Sequence, residues 1–176
     1  MFDKIKKKIA VSLIKRKYIN KGSEPVVFND FFKKAINYLV IMPENDEDFK
    51  NSFAVIKELA EKGKSITLFI PEHRYSLIPA KEKYRVLSYS IQHVSKLFIP
   101  DVILQEKLRK KSFDVILNLN IRDNLFLDSS AFILNSSYRV GFKKGDFSNF
   151  YTLQIPLNEN NSNISYENLL NSLKMF

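Results

Sequence analysis

Short apolar runs closed by polar or breaker residues recur along most of the chain, and they set its organisation. Asn37-Tyr38-Leu39-Val40-Ile41-Met42 stops at Pro43, and Ser65-Ile66-Thr67-Leu68-Phe69-Ile70 stops at Pro71. Runs this short, ended by proline, predict buried strands. Between them Phe49, Phe53, Ile56, Leu59 and Ala60 recur at helical spacing. Asp46, Glu47 and Asp48 stand where a helix dipole favours negative charge, and Gly63 stands where a left-handed cap belongs. This predicts one strand–helix–strand unit.

A second unit spans Phe113 to Phe142. Val115-Ile116-Leu117 continues as Asn118-Leu119-Asn120, and the polar break Ile121-Arg122-Asp123-Asn124 follows. A helix is expected over Leu125 to Leu134, then a strand over Tyr138-Arg139-Val140-Gly141-Phe142. A crossover of this length brings the second strand in parallel to the first.

The remaining segments are read the same way. Arg85-Val86-Leu87-Ser88-Tyr89 predicts a strand, and Lys96-Leu97-Phe98-Ile99 a short further one. Pro100 suits the first position of a helix carrying Val102, Leu104 and Leu108. Asn29 or Asp30 is expected to cap a turn through Lys34, and Glu72 to Ala80 reads as a loop with a helical turn. Tyr151 to Ile155 is an edge-strand candidate. An asparagine-rich linker (157–163) then leads to a helix from Ser165. Strands alternating with helices predict the α/β class: a three-layer, Rossmann-like domain with a mainly parallel sheet, over residues 37–176. A linker and short turn (22–36, with Lys21 to Pro25 as its start) and a basic N-terminal helix (1–21) precede it.

Charge sharpens the picture of that first helix. Of the net +9, residues 1–21 hold Lys4, Lys6, Lys7, Lys8, Lys15, Arg16, Lys17 and Lys21 against Asp3 alone, leaving about +2 for the rest, ordinary for a globular domain. Phe2, Ile5, Ile9 and Leu13 make an apolar stripe at helical spacing. Three uses fit such a helix: lying on an anionic membrane surface, tracking nucleic-acid phosphates, or packing its stripe on its own domain.

Composition removes several chemistries. The chain has no cysteine, so disulfides, thiolate metal sites and thiol catalysis are excluded. His73 and His93 are too isolated to suggest a metal centre, and His73 on its loop reads as a solvated side chain. Four glycines, at 22, 63, 141 and 145, form neither GxGxxG nor a Walker loop, so no cofactor is expected. No apolar run approaches the roughly 20 residues that span a bilayer, and a cytoplasmic location, peripheral to the inner membrane, is expected. The carboxylates Glu44, Asp46, Glu47 and Asp48 sit where a general base for a sugar hydroxyl would sit, and equally where helix capping needs them. Arg122, Asp123, Arg139, Lys143 and Lys144 suit an anion site, or plain solvation.

The run LRKKSFDVILNLN (Leu108 to Asn120), a helix, and then Tyr138-Arg139-Val140-Gly141-Phe142 resembles the N-terminal, acceptor half of glycosyltransferase family 9, the heptosyltransferases of lipopolysaccharide core assembly. The unit from Tyr38 to Pro71 is similar in spacing, so the likeness covers about residues 37–156. The chain also resembles short proteins of Bacteroidetes-type bacteria with an apolar strand, an asparagine-rich break and a leucine helix at the end.

The family resemblance implies a GT-B half-domain with Asp48 in the place of the family's catalytic aspartate, though without the glycine that precedes it there. It implies Asn118, Asn120, Arg122 and Arg139 as ligand-binding residues. With the sequence ending at Phe176, a donor-binding half is expected to be missing. The expectation is therefore a stand-alone half-domain without catalysis of its own, bound to a membrane surface or partner by Lys4, Lys6, Lys7, Lys8, Lys15, Arg16 and Lys17. The alternatives are an active or partner-dependent glycosyltransferase of cell-envelope glycans, and an RNA- or ribosome-associated protein. A separate donor-binding polypeptide or a homodimer is the partner expected to cover the face left by the missing half.

Overall fold

A computed structural model describes residues 2–19, 30–147, 150–158 and 161–176; the linker expected at Lys21 to Pro25 and the candidate cap Asn29 lie outside them. Six strands form one sheet: β1 (Asn37–Ile41), β2 (Ser65–Pro71), β3 (Arg85–Tyr89), β4 (Ser112–Asn118), β5 (Asn135–Phe142) and β6 (Leu153–Ile155). Their order is β3-β2-β1-β4-β5-β6, and every neighbouring pair is parallel. The order reverses between β1 and β4, so the loops after these two strands flank the topological switch point.

Helices cover both faces, as a parallel sheet requires. Strand alternation decides what each helix meets. Tyr38, Val40, Ile66, Leu68, Val115 and Leu117 point to one face, where α2 (Phe31–Lys34), α3 (Asp46–Glu61) and α6 (Ser162–Lys174) supply Phe31, Ile56, Leu59, Tyr166 and Leu169. Leu39, Ile41, Phe69 and Ile116 point to the other, which α1 (Phe2–Ile14), α4 (Val102–Arg109) and α5 (Leu125–Ile133) cover. A π-helical turn, Lys15–Ile19, continues α1. Asp114, at the start of β4, accepts hydrogen bonds from the Ile36 and Asn37 N–H groups at 2.8 and 2.9 Å and so ties the entry of β1 to its neighbour.

Both strand–helix–strand units and the glycine cap form as the pattern predicts; Gly63 has φ +71° and its N–H reaches the Ala60 carbonyl at 2.9 Å. The structure differs at several segments. Lys96 to Ile99 is a turn, with Phe98 N–H bonded to the Ser95 carbonyl and only a single antiparallel bridge between Val94 and Pro100. Phe98 takes φ +58°, which no continuous strand accommodates. Pro100 precedes α4; Asp101 is its N-cap, accepting from Leu104 N–H at 2.7 Å. Strand β5 begins at Asn135 because α5 stops at Ile133. The asparagine-rich break supplies Asn161 as the cap of α6, which therefore starts three residues before Ser165.

Candidate functional site

The carboxyl edge of the sheet gathers the chemistry-bearing side chains. After β1 the chain turns at Pro43, and Asn45 caps α3, its Oδ1 accepting from the Glu47 and Asp48 N–H groups at 3.1 and 3.2 Å. This puts Asp48 in the first turn, buried, with Oδ2 3.3 Å from Nε of the exposed Arg122 on the loop after β4. The pair bridges the switch point. Glu44 holds a second bridge: Oε1 accepts from the Tyr89 hydroxyl at 2.9 Å and Oε2 from Asn124 Nδ2 at 2.8 Å. Burial, then the Glu44 carboxylate, pushes the Tyr89 hydroxyl above its ordinary range.

Arg74, in the 3-10 turn after β2 (Glu72–Leu77), clamps the same loop from the far side. Its Nη2 donates to the Glu44 carbonyl and, at 2.7 Å, to Asp46, and its guanidinium lies 4.9 Å over the Phe49 ring. Its Nε and Nη1 are buried without a hydrogen-bond partner.

Asn118 and Asn120, the residues at the end of β4, turn inward. Asn118 Nδ2 donates to Asp128 Oδ1 at 2.8 Å and to the Tyr151 hydroxyl at 2.7 Å, while its Oδ1 takes the Asn120 N–H. Asn120 Nδ2 holds the Arg122 carbonyl, as does Lys144 Nζ. Asp128 and Lys144 complete a closed network. Burial raises the Asp128 carboxyl and lowers the Lys144 ammonium, and it raises the Tyr151 hydroxyl, which the Asp128 carboxylate then pushes further. Arg139 uses its donors elsewhere. Its guanidinium donates to the carbonyls of Ala131, Leu134 and Ser136, fastening the end of α5 to β5. His93 is taken up locally, its Nδ1 accepting from Ser90 N–H at 2.9 Å, and His73 is exposed in the turn after β2.

The structure therefore brings together Asp48, Asn118, Asn120 and Arg122 and sets Arg139 apart. Asp128, Tyr151 and Arg74 were not singled out for a site on sequence grounds, and Lys144, read as an anion-site cation, is instead paired with Asp128. A signal did exist for Asp128, a lone carboxylate in a nine-residue helix, LFLDSSAFI, that is otherwise apolar or hydroxylated and buried throughout.

The second candidate surface is α1. Among its described side chains Ala10, Val11 and Ile14 are buried, in the core beside α5. Of the predicted stripe, Ile5, Ile9 and Leu13 stay outside, exposed by 52, 48 and 47%, while the side chain of Phe2 lies outside the described ones. Lys4, Lys7, Lys8, Arg16 and Lys17 are exposed on the same helix and its continuation. Lys6 Nζ lies 5.9 Å over the Phe98 ring and Lys15 Nζ 5.1 Å over Phe150. Tyr18 locks the far end, donating to Gln105 at 2.9 Å and accepting from Arg109. Between the N-terminal half of α1, the loop after β3 and the start of α5 lies an open groove of about 520 Å³, with Glu44 and Asn124 in its lining.

Among the described residues no helix is long and apolar enough to cross a membrane. In comparison with known proteins, the chain matches no family model and no curated protein.

Proposed function

We propose that the protein binds reversibly to an anionic membrane surface through α1 and carries the α/β domain there. The supporting observation is that α1 has two apolar sides and uses only one of them for its own core. Ala10, Val11 and Ile14 are buried, whereas Ile5, Ile9 and Leu13 stay in solvent amid Lys4, Lys8, Arg16 and Lys17. Inserting each half-exposed aliphatic side chain is worth about 1 kcal/mol. Each cation near an anionic surface adds about 1 kcal/mol. Three such chains and four cations give a dissociation constant on the order of 10 µM, a reversible attachment. Nucleic acid would use the cations and leave the apolar stripe without a role.

Co-sedimentation with phosphatidylglycerol vesicles and with purely phosphatidylcholine vesicles tests this. Binding is expected to the anionic vesicles, with a loss of about tenfold or more in the double variant Ile5→Asp/Ile9→Asp. Equal binding by that variant, or salt-steep binding to RNA with none to vesicles, would overturn the proposal.

A second reading, a partner-dependent glycosyltransferase half as the family-9 likeness implies, draws on Asp48 and Arg122. A buried carboxylate at the switch point, covered by one exposed arginine, is uncovered if that arginine swings aside. Incubation with nucleoside-diphosphate sugars in native lysate is then expected to release more nucleoside diphosphate than lysate alone. Asp48→Asn, with an unchanged circular dichroism spectrum, is expected to remove the excess. No excess from the wild-type protein sinks this reading.

A further inference from the structure

We infer that the groove between α1 and the loop after β3 holds one acyl chain of an anionic phospholipid, with the lipid phosphate on Lys4 and Lys7. The inference deepens the membrane reading and rests on it for the source of the lipid. The groove lies at the carboxyl edge of a parallel sheet, where such folds place ligands, and its volume of about 520 Å³ is within the range of small-molecule sites. Ile91, Val94, Phe98, Leu125 and Phe126 give it apolar walls, and Lys4 and Lys7 stand on the α1 side.

Two features favour an uncharged chain. First, the polar groups of the lining are already matched to one another. Glu44 takes hydrogen bonds from Tyr89 and Asn124, and Asn124 Oδ1 takes the Leu127 N–H at 3.0 Å. A polar ligand finds little to bond there, whereas a hydrocarbon chain asks for nothing. Second, the loop wall presents solvent-exposed apolar side chains at a structural cost. Ile91 is 83% exposed, and Phe98 is held in the left-handed region at φ +58°, unfavourable for a bulky aromatic residue. Ser95 N–H to the Ile99 carbonyl and Asp101 N–H to the His93 carbonyl hold the loop in this shape. Val102 and Ile103, which follow it at the start of α4, are also exposed and extend the apolar surface. Charge complementarity selects the head group: the two lysines lie on the wall opposite the loop, and the neutral choline-type head would lose their attraction.

Monomeric lyso-phosphatidylglycerol, added to the full chain without any bilayer, tests the inference by calorimetry and native mass spectrometry. Saturable binding of one lipid per chain is expected. Ile91→Asp, at a position too exposed to matter for folding, is expected to weaken it about tenfold. Lys4→Glu with Lys7→Glu, and equally a change to lyso-phosphatidylcholine, is expected to weaken it about fivefold or more. Phe98→Asn, which suits the left-handed backbone, is expected to weaken lipid binding while the melting temperature holds or rises. Absence of saturable binding, or wild-type binding by Ile91→Asp, overturns the groove. Vesicle binding without lyso-lipid binding would remove the groove and leave the surface reading standing; lyso-lipid binding without vesicle binding would do the reverse.

Discussion

Lys144 Nζ sits 3.4 Å from Asp128 Oδ1 in an ion pair closed to solvent on both sides, with side-chain exposures of 5 and 8%. Around it, Asn118 Nδ2 and the Tyr151 hydroxyl donate to the same Asp128 oxygen, and the Arg122 carbonyl takes a hydrogen bond from the lysine. Desolvation works against both charges, raising the Asp128 carboxyl and lowering the Lys144 ammonium, so each depends on the other. Lys144→Met removes one charge and strands the other, and a loss of about 3–5 kcal/mol is expected. The double variant Lys144→Met/Asp128→Leu is expected to recover part of that loss, because no buried charge remains. Urea denaturation of the two variants checks this; equal stability of Lys144→Met and wild type would contradict the burial of the pair.

Gly141 leaves room for that network. A Cβ placed there meets three atoms of the Tyr151 ring at 2.7–2.8 Å, and Tyr151 is buried with its hydroxyl bonded to Asn118 and Asp128. The backbone at Gly141 is an ordinary strand, so the constraint is space and not conformation. Gly141→Ala must push the ring away, and about 1–3 kcal/mol of stability is expected to be lost. If Gly141→Ala costs as much in a Tyr151→Leu background as in the wild type, the ring is not the obstacle.

Buried tyrosines set the alkaline limit of the fold. Tyr38, Tyr89, Tyr151 and Tyr166 are each pushed above their ordinary value of 10.0, first by burial and then by a nearby carboxylate. A folded-state value above the unfolded one contributes stability that is complete below the unfolded value and lost as pH rises beyond it. Unfolding is therefore expected above about pH 10, with tyrosinate absorbance and circular dichroism changing in one step. Tyrosinate absorbance rising in full while the circular dichroism stays native would refute the linkage.

Periodicity carried the sheet and its helices because strands buried on both faces leave uninterrupted apolar runs, and Pro43, Pro71 and Gly63 punctuate them. It failed at Lys96 to Ile99, where four residues of strand-like composition form a turn around a left-handed Phe98; a side chain's backbone strain leaves no trace in hydropathy. The site was half legible. Asp48 comes from the first turn of α3 and Asn118, Asn120 and Arg122 from the end of β4 and the loop after it, and the switch-point geometry brings them together. Lys144 and Tyr151 come from the connection after β5, and only the folded chain places them against Asp128. Arg139 reads as an anion-binding cation in the sequence, yet two carbonyls at the end of α5 and one at the start of β5 take its donors.

The two sides of α1 differ in what they support, and two substitutions five residues apart separate them. Ile14 is 2% exposed in the core shared with α5, whereas Ile9 is 48% exposed. Ile14→Asp drives an unpaired carboxylate into that core or pulls the helix off it, and a loss of about 3 kcal/mol or more is expected. Ile9→Asp changes a solvent-facing position, and its stability is expected to stay within about 0.5 kcal/mol of wild type. The membrane readout should run the opposite way: Ile9→Asp weakens vesicle binding in a fully folded protein, since the carboxylate both removes an apolar anchor and repels the anionic surface. Removing residues 1–19 is expected to destabilise the domain as Ile14→Asp does, because Ala10, Val11 and Ile14 are part of its core. A truncated chain as stable as the whole would mean that α1 is an attachment and not a layer of the fold. Urea midpoints beside vesicle co-sedimentation separate the two roles, because a single substitution at Ile9 then moves one measurement without the other.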